Sequence, residues 1–119
     1  LIFTNLVDFD ALYGHRRDPI GYKKCLEEFD EKLGKLIEVL TEEDLLIIVA
    51  DHGNDPTHNG TDHTREAVPM IIYHKTMSNS GRIDNRESFA DLGITLLDIF
   101  DIKSNYNYTI GKSFIDLLK

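Results

Sequence analysis

The chain is poor in several things at once. Among 119 residues there is no tryptophan and one cysteine, Cys25. A lone thiol closes no internal disulfide and fits reducing surroundings. Long apolar runs are lacking. The longest, Leu45-Leu46-Ile47-Ile48-Val49-Ala50, is far short of the ~20 residues of a membrane-spanning helix and shorter than the core of a signal peptide. Basic charge is in deficit, with 13 Lys plus Arg against 21 Asp plus Glu, a net charge of −8 and a pI near 4.9. Such a surface is a poor partner for duplex nucleic acid or an anionic membrane. There is no internal repeat and no low-complexity stretch. An initiating methionine is lacking too. The chain opens on Leu1-Ile2-Phe3, which reads as the inside of a strand, so residues of the same fold are expected upstream.

What is present is enough to build a core: 41% of residues are apolar, which argues against disorder. Residues 1–7 are β-leaning and predict a buried strand. Residues 8–18 predict a polar loop, and Pro19 suits the first turn of a helix. From there, apolar residues at 22, 26, 29, 33, 36, 37 and 40 share one helical face, with lysines and glutamates opposite. Residues 41–44 read as a turn and 45–50 as a strand buried on both faces. Residues 51–66 form a polar loop with three His and three Asp. A third strand is predicted over 68–73, a surface loop over 75–85, and a second helix over 87–100 with Phe89, Leu92, Leu96, Leu97 and Phe100 on one side. The tail carries a turn-rich Asn105-Tyr106-Asn107-Tyr108 stretch. The order predicts an α/β fold with a mostly parallel sheet flanked by helices. In such sheets ligands collect beyond the carboxyl ends of strands, so loops 8–18 and 51–66 are expected side by side.

Those two loops hold the chemistry. The first carries Asp8, Asp10 and His15; the second carries Asp51, His52, Asp55, His58, Asp62 and His63. Carboxylates and imidazoles without thiolate suit Mn, Zn, Fe or Co. Asp10 and His15 lie five apart with Gly14 between them, a spacing that a turn folds onto one ion. Asp51 and His52 follow a rigid strand, and Gly53 lets the backbone bend there. Two metals about 3.5–4 Å apart clamp the attacking and leaving oxygens of a phosphoryl group. The remaining residues read more plainly. His74 is structural, His58 faces solvent, Asp8 caps or orients the loop backbone, and Cys25 packs. Arg16 and Arg17 are surface charge or partners for nearby carboxylates.

The run Val7-Asp8-Phe9-Asp10-Ala11-Leu12-Tyr13-Gly14-His15-Arg16-Arg17-Asp18 resembles the long signature of the phosphopentomutase family of the alkaline phosphatase superfamily. Ala50-Asp51-His52-Gly53-Asn54-Asp55-Pro56-Thr57 resembles its second signature. Gly60-Thr61-Asp62-His63-Thr64-Arg65-Glu66 with Val68-Pro69 resembles the third. Two later stretches, Arg86-Glu87-Ser88-Phe89-Ala90-Asp91-Leu92-Gly93 and Gly111-Lys112-Ser113-Phe114, resemble the family's C-terminal region.

The resemblance implies an alkaline-phosphatase-like core, of which residues 1–119 are the C-terminal part, without the N-terminal core segment and the inserted cap domain. It implies transfer of phosphate between carbons 1 and 5 of ribose or 2-deoxyribose, a pentose phosphate substrate, two Mn(2+) and a cytoplasmic setting. Asp10, His15 and His63 would hold one metal, and Asp51 and His52 the other. The phosphate-carrying threonine of the family lies upstream; Thr4, Thr57, Thr61 and Thr64 do not match its motif. Three alternatives stand beside this: the sister family of cofactor-independent phosphoglycerate mutases, which shares Asp-His-Gly; another phosphotransferase of the superfamily, or a metal-dependent phosphodiesterase or sulfatase; and a noncatalytic metal-binding domain.

Overall fold

The computed structural model describes residues 1–78, 80–103 and 110–118. The turn expected over 105–108 lies outside them. The chain forms two compact units, Leu1–Lys75 and Thr76–Lys119.

In the first unit the strand expected over residues 1–7 does not form. Leu1, Ile2 and Phe3 are 83%, 94% and 86% exposed. A strand is held by ladder partners and a surface to bury against, and no described strand lies alongside this segment. The loop expected next is more ordered than anticipated: Phe9–Gly14 is a π-helical turn, in which the His15 N–H donates to the Asp10 carbonyl at 2.9 Å. That i to i+5 bond explains the spacing of Asp10 and His15, because it stacks them on one side of the turn. The turn closes with the Asp18 N–H on the Tyr13 carbonyl (3.0 Å) and the Arg17 N–H on the Gly14 carbonyl (3.1 Å).

Helix α1 is Pro19–Val39. Pro19 pre-sets the first turn and Asp18 caps it, its Oδ1 accepting from the Gly21 N–H at 2.9 Å. The predicted apolar stripe is present, but half-buried rather than buried. Tyr22, Cys25, Phe29, Leu33, Ile37 and Leu40 turn inward, while Leu26 and Leu36 face out. At each of these two places an adjacent residue, Cys25 or Ile37, takes the inner position. Burial, reinforced by Asp8 and Glu28, pushes the Cys25 thiol up. The Phe9 ring meets those of Tyr22 and Phe29 edge-on at 5.7 and 6.0 Å, fastening the π-turn to α1.

The turn after α1 is built by Asp44, whose Oδ2 accepts from the Thr41 N–H and hydroxyl at 2.8 Å each. Strand β1 (Leu45–Val49) pairs with β2 (Met70–His74), Leu45 opposite His74 and Val49 opposite Met70. The pairing is antiparallel, which corrects the expected mostly parallel sheet for this pair. Parallel strands need a crossover, commonly a helix. Here residues 50–69 fold back on themselves, and a further antiparallel bridge joins Gly53 to Thr64. The expectation that β1 is buried on both faces is also corrected. Leu45 to Ile48 are half-buried and Val49 is exposed, because two strands leave faces and edges uncovered. The Lys75 Nζ donates to the Leu40 carbonyl at 3.0 Å, tying the end of β2 to the end of α1.

In the second unit, α2 is Ala90–Ile99, beginning three residues later than expected. Its aromatic flanks, Phe89 and Phe100, are 53% and 49% exposed. The buried side is polar. Thr95 is 0%, Asp91 5% and Phe114 2% exposed. Asp91 accepts from the Lys112 N–H and from Arg86 Nε, each at 2.8 Å. The Thr95 hydroxyl donates to the Asp91 carbonyl at 2.7 Å and accepts from the Phe114 N–H at 3.0 Å. Hydrophobic spacing cannot reveal a face whose contacts are hydrogen bonds to a returning tail. A short 3-10 turn, Ile115–Leu118, follows. No helix among the described residues is long and apolar enough to cross a membrane.

Candidate metal centre

Within the first unit, the π-turn and loop 51–66 bring their imidazoles and carboxylates together. Asp10 sits at the centre. Its Oδ2 lies 3.4 Å from His15 Nε2 and its Oδ1 lies 3.3 Å from His63 Nε2. The two imidazole Nε2 atoms are 3.0 Å apart. His52 stacks on His63, ring centroids 3.6 Å apart, and its Nε2 lies 3.6 Å from Asp51 Oδ1. Asp10, His52 and His63 together offer ligand atoms all within 4.8 Å of one another. All five sequence candidates are thus linked in one cluster, with Asp10, His15 and His63 at its middle and Asp51 outermost, its side chain 88% exposed.

The chemistry of the donors fits a cation. His15 and His63 each bring Nε2 within 3.4 Å of an Asp10 oxygen, Oδ2 and Oδ1 respectively, and the two Nε2 atoms are 3.0 Å apart, so imidazole and carboxylate donors crowd one place as divalent-metal ligands do. The tautomers agree. His15 Nδ1 meets the Thr61 carbonyl and His52 Nδ1 meets the Gly53 carbonyl at 3.3 Å. A carbonyl only accepts, so Nδ1 is the donor on each ring, and Nε2 is the nitrogen turned toward a carboxylate, Asp10 for His15 and Asp51 for His52. Asp10 is ionised across the ordinary range. Burial works against its charge, but the Asn54 hydrogen bond and then the fields of His15, His63 and His52 outweigh it and hold the carboxyl below its usual value.

The other candidates lie apart from this cluster. His58 is exposed, on an open groove that it lines with His63, Thr64, Arg65 and Glu66. Asp55 folds back on its own loop, Oδ1 accepting from the Thr57 N–H at 2.8 Å and hydroxyl at 2.7 Å. Asp62 contributes its carbonyl, to Arg17. Asp8 stands at the start of the π-turn without a side-chain capping bond, which corrects the capping role expected for it. Gly53 supplies space rather than a special backbone angle: a Cβ there would stand 2.4 Å from Glu66 Oε2 and 3.0 Å from the Glu66 nitrogen.

Residues that sequence reasoning passed over support the ligands. Asn54 Nδ2 donates to Asp10 Oδ1 at 2.6 Å. Thr64 accepts from the Asp55 N–H at 2.7 Å and donates to Glu66. Arg17 was expected to be surface charge or a carboxylate partner. It binds instead Asn54 Oδ1 and the Asp55 carbonyl, each at 2.7 Å, and the Gly60 and Asp62 carbonyls.

The pattern of the metalloenzyme superfamily matches residues 1–104. The chain belongs to the metalloenzyme superfamily. Over 118 residues it is 56% identical to the phosphopentomutase of Clostridium botulinum (strain Alaska E43 / Type E3), covering 99% of this chain and 30% of that protein. It is 55% identical over 116 residues to the phosphopentomutases of Clostridium beijerinckii and Clostridium tetani, covering 98% of this chain and 29% of each. The chain therefore spans under a third of the length of these relatives. The superfamily is one of metalloenzymes, and Asp10, His52 and His63 are the described residues whose ligand atoms all lie within 4.8 Å of one another.

Proposed function

We propose that this chain is the C-terminal part of the catalytic core of a phosphopentomutase, which interconverts ribose or deoxyribose 1-phosphate and 5-phosphate. The observation that carries the proposal is the meeting of Asp10, His15, Asp51, His52 and His63 from two loops. It is supported by the identity of 55–56% to phosphopentomutases along nearly the whole chain. Asp10, His15 and His63 hold one Mn(2+). Asp51 and His52 hold the second, with further ligands from other parts of the protein. When bound, such a pair supplies charge neutralisation and a clamp for the oxygens of the transferring phosphoryl group.

The chain's own residues prepare that site. Asp10 stays ionised, and His15 and His52 turn their Nε2 atoms to the cluster. Asp51 stands outermost, where a pentose phosphate can approach. A threonine outside this chain carries the phosphate between half-reactions, and a cap domain, also outside it, orients the sugar. We assign the cytoplasm as its setting. The mostly parallel sheet belongs to the same proposal: strands elsewhere in the protein pair beside β1.

The test is to assay the natural gene product for conversion of ribose 1-phosphate to ribose 5-phosphate with Mn(2+), with and without EDTA. Interconversion of 2- and 3-phosphoglycerate is measured in parallel. Metal-dependent pentose phosphate turnover supports the proposal. Turnover of phosphoglycerate alone, or no dependence on metal, overturns it.

A further inference from the structure

Arg17 occupies a strained position. Its φ is 53°, in the left-handed region that disfavours any residue with a Cβ. The two bonds that close the π-turn, Asp18 to Tyr13 and Arg17 to Gly14, are those of a helix ending in which the left-handed residue is usually glycine. Here a large charged residue stands where glycine would be easier. Strain of this kind persists where something else over-determines the conformation.

What over-determines it is the side chain. Arg17 Nε donates to the Gly60 carbonyl, Nη1 to the Asp55 carbonyl and to Asn54 Oδ1, and Nη2 to the Asp62 carbonyl. One rigid fork therefore meets four acceptors spread along residues 54–62. Lysine, with a compact ammonium, cannot reproduce that geometry. Asn54 passes the constraint on. Its Oδ1 takes the Arg17 bond and its Nδ2 donates to Asp10 Oδ1. The fit is close. A Cβ on Gly14, which is buried, would stand 2.5 Å from Asn54 Nδ2. The same clamp holds the segment whose Thr61 carbonyl fixes the His15 tautomer.

We propose that Arg17 and Asn54 are positioning residues for the metal centre. They hold loop 51–66 against the π-turn and aim the Asp10 carboxylate, without ligating the ion. This rests on the metal reading above. It makes a prediction of unusual sign. Arg17 is a cation two hydrogen bonds from a cation site, so on charge alone its removal would tighten metal binding. If its work is positioning, its removal weakens binding, and outer-shell partners of metal ligands are commonly worth 10–100-fold in affinity.

The experiment titrates Mn(2+) into the natural gene product and into its Arg17→Gln, Arg17→Lys and Asn54→Leu variants, following free Mn(2+) by its EPR signal. Urea midpoints of the metal-free proteins are measured alongside. The expected result is binding weakened about 10–100-fold in all three, with metal-free midpoints close to the parent's. Asn54→Leu changes no charge and keeps the branched shape while removing both hydrogen bonds, so it decides the matter if either Arg17 variant fails to fold. Binding equal to or tighter than the parent's overturns the inference. So does unfolding of the metal-free Asn54→Leu protein, which would make the relay a structural support only. A parent that binds no Mn(2+) overturns the metal reading itself. A parent that binds Mn(2+) but lacks mutase turnover leaves the positioning inference standing.

Discussion

Replacing Thr95 with valine isolates one hydrogen-bonded pair at the heart of the second unit. Thr95 is 0% exposed, and its hydroxyl both donates to the Asp91 carbonyl and accepts from the Phe114 N–H. Valine has the same branched shape, so no cavity opens and the α2 backbone is undisturbed. What changes is that the Phe114 N–H loses its acceptor while Phe114 itself stays 2% exposed. A buried donor left without a partner costs about 1–3 kcal/mol. The Asp91 carbonyl lies within α2 and keeps its place in the helical ladder, so the cost falls at the lower to middle part of that range. Thr95→Ser is the matched control. It keeps both bonds and loses one methyl, worth about 1 kcal/mol with the small void it leaves. Urea unfolding of the purified protein, followed by circular dichroism and extrapolated linearly, measures both. Thr95→Val is expected to fall by about 1–3 kcal/mol, and Thr95→Ser by less. If the valine protein matches the parent while serine is the less stable of the two, the pair is ornamental and the packing of the methyl is what matters.

The other expectations follow from the same physical picture. In the natural gene product, His63→Ala removes most mutase turnover and lowers bound metal, whereas the exposed His58→Ala does little; unchanged metal stoichiometry in His63→Ala would refute its role. The Lys112 N–H and then Arg86, against the opposing effect of burial, hold the Asp91 carboxyl below the usual carboxylate range. A depressed folded value means that the stabilisation is present at neutral pH and is lost as pH falls below about 4 through the folded value; Asp91→Asn flattens the stability curve in that acid window, and an unchanged curve would refute the linkage. Residues 1–119 expressed alone show no mutase turnover with excess Mn(2+), because the phosphate carrier and the cap are proposed to lie elsewhere; turnover near that of the natural gene product would refute that division of roles.

Much of the local structure was legible. Pro19 and Asp18 announce the start of α1, and the three-and-four spacing from Tyr22 to Leu40 gives its inner face. The strands at 45–49 and 70–74 follow from short apolar runs. What was not legible depends on partners. An apolar run cannot say which neighbour it pairs with, so the order of elements predicts a mostly parallel sheet, whereas β1 and β2 pair antiparallel. Residues 1–7 have the composition of a strand but no described strand beside them. The polar core of α2 was hidden for another reason. Asp91 and Thr95 are buried through bonds to Lys112 and Phe114, some twenty residues on, and helical periodicity carries no trace of that return.

The site divides the same way. Histidines and aspartates advertise metal chemistry through residue type alone, so Asp10, His15, Asp51, His52 and His63 could be nominated before any geometry was known. Their supports could not. Asn54 is an ordinary loop residue by composition, and Arg17 one of two adjacent arginines, of which Arg16 is exposed. Only the fold separates them, by setting Arg17 at a left-handed φ with its fork on four acceptors. The five-residue gap between Asp10 and His15 shows how the two kinds of information meet. The spacing hinted at a shared ion, but the reason it works is a π-helical bond from residue 15 to residue 10, a geometry that an α-helical turn with its i to i+4 repeat would have missed by one residue. Wound as ordinary α-helix, at about 100° per residue, the same five-residue gap would set His15 about 140° round the axis from Asp10, leaving every ligand in the sequence and no shared site in the fold.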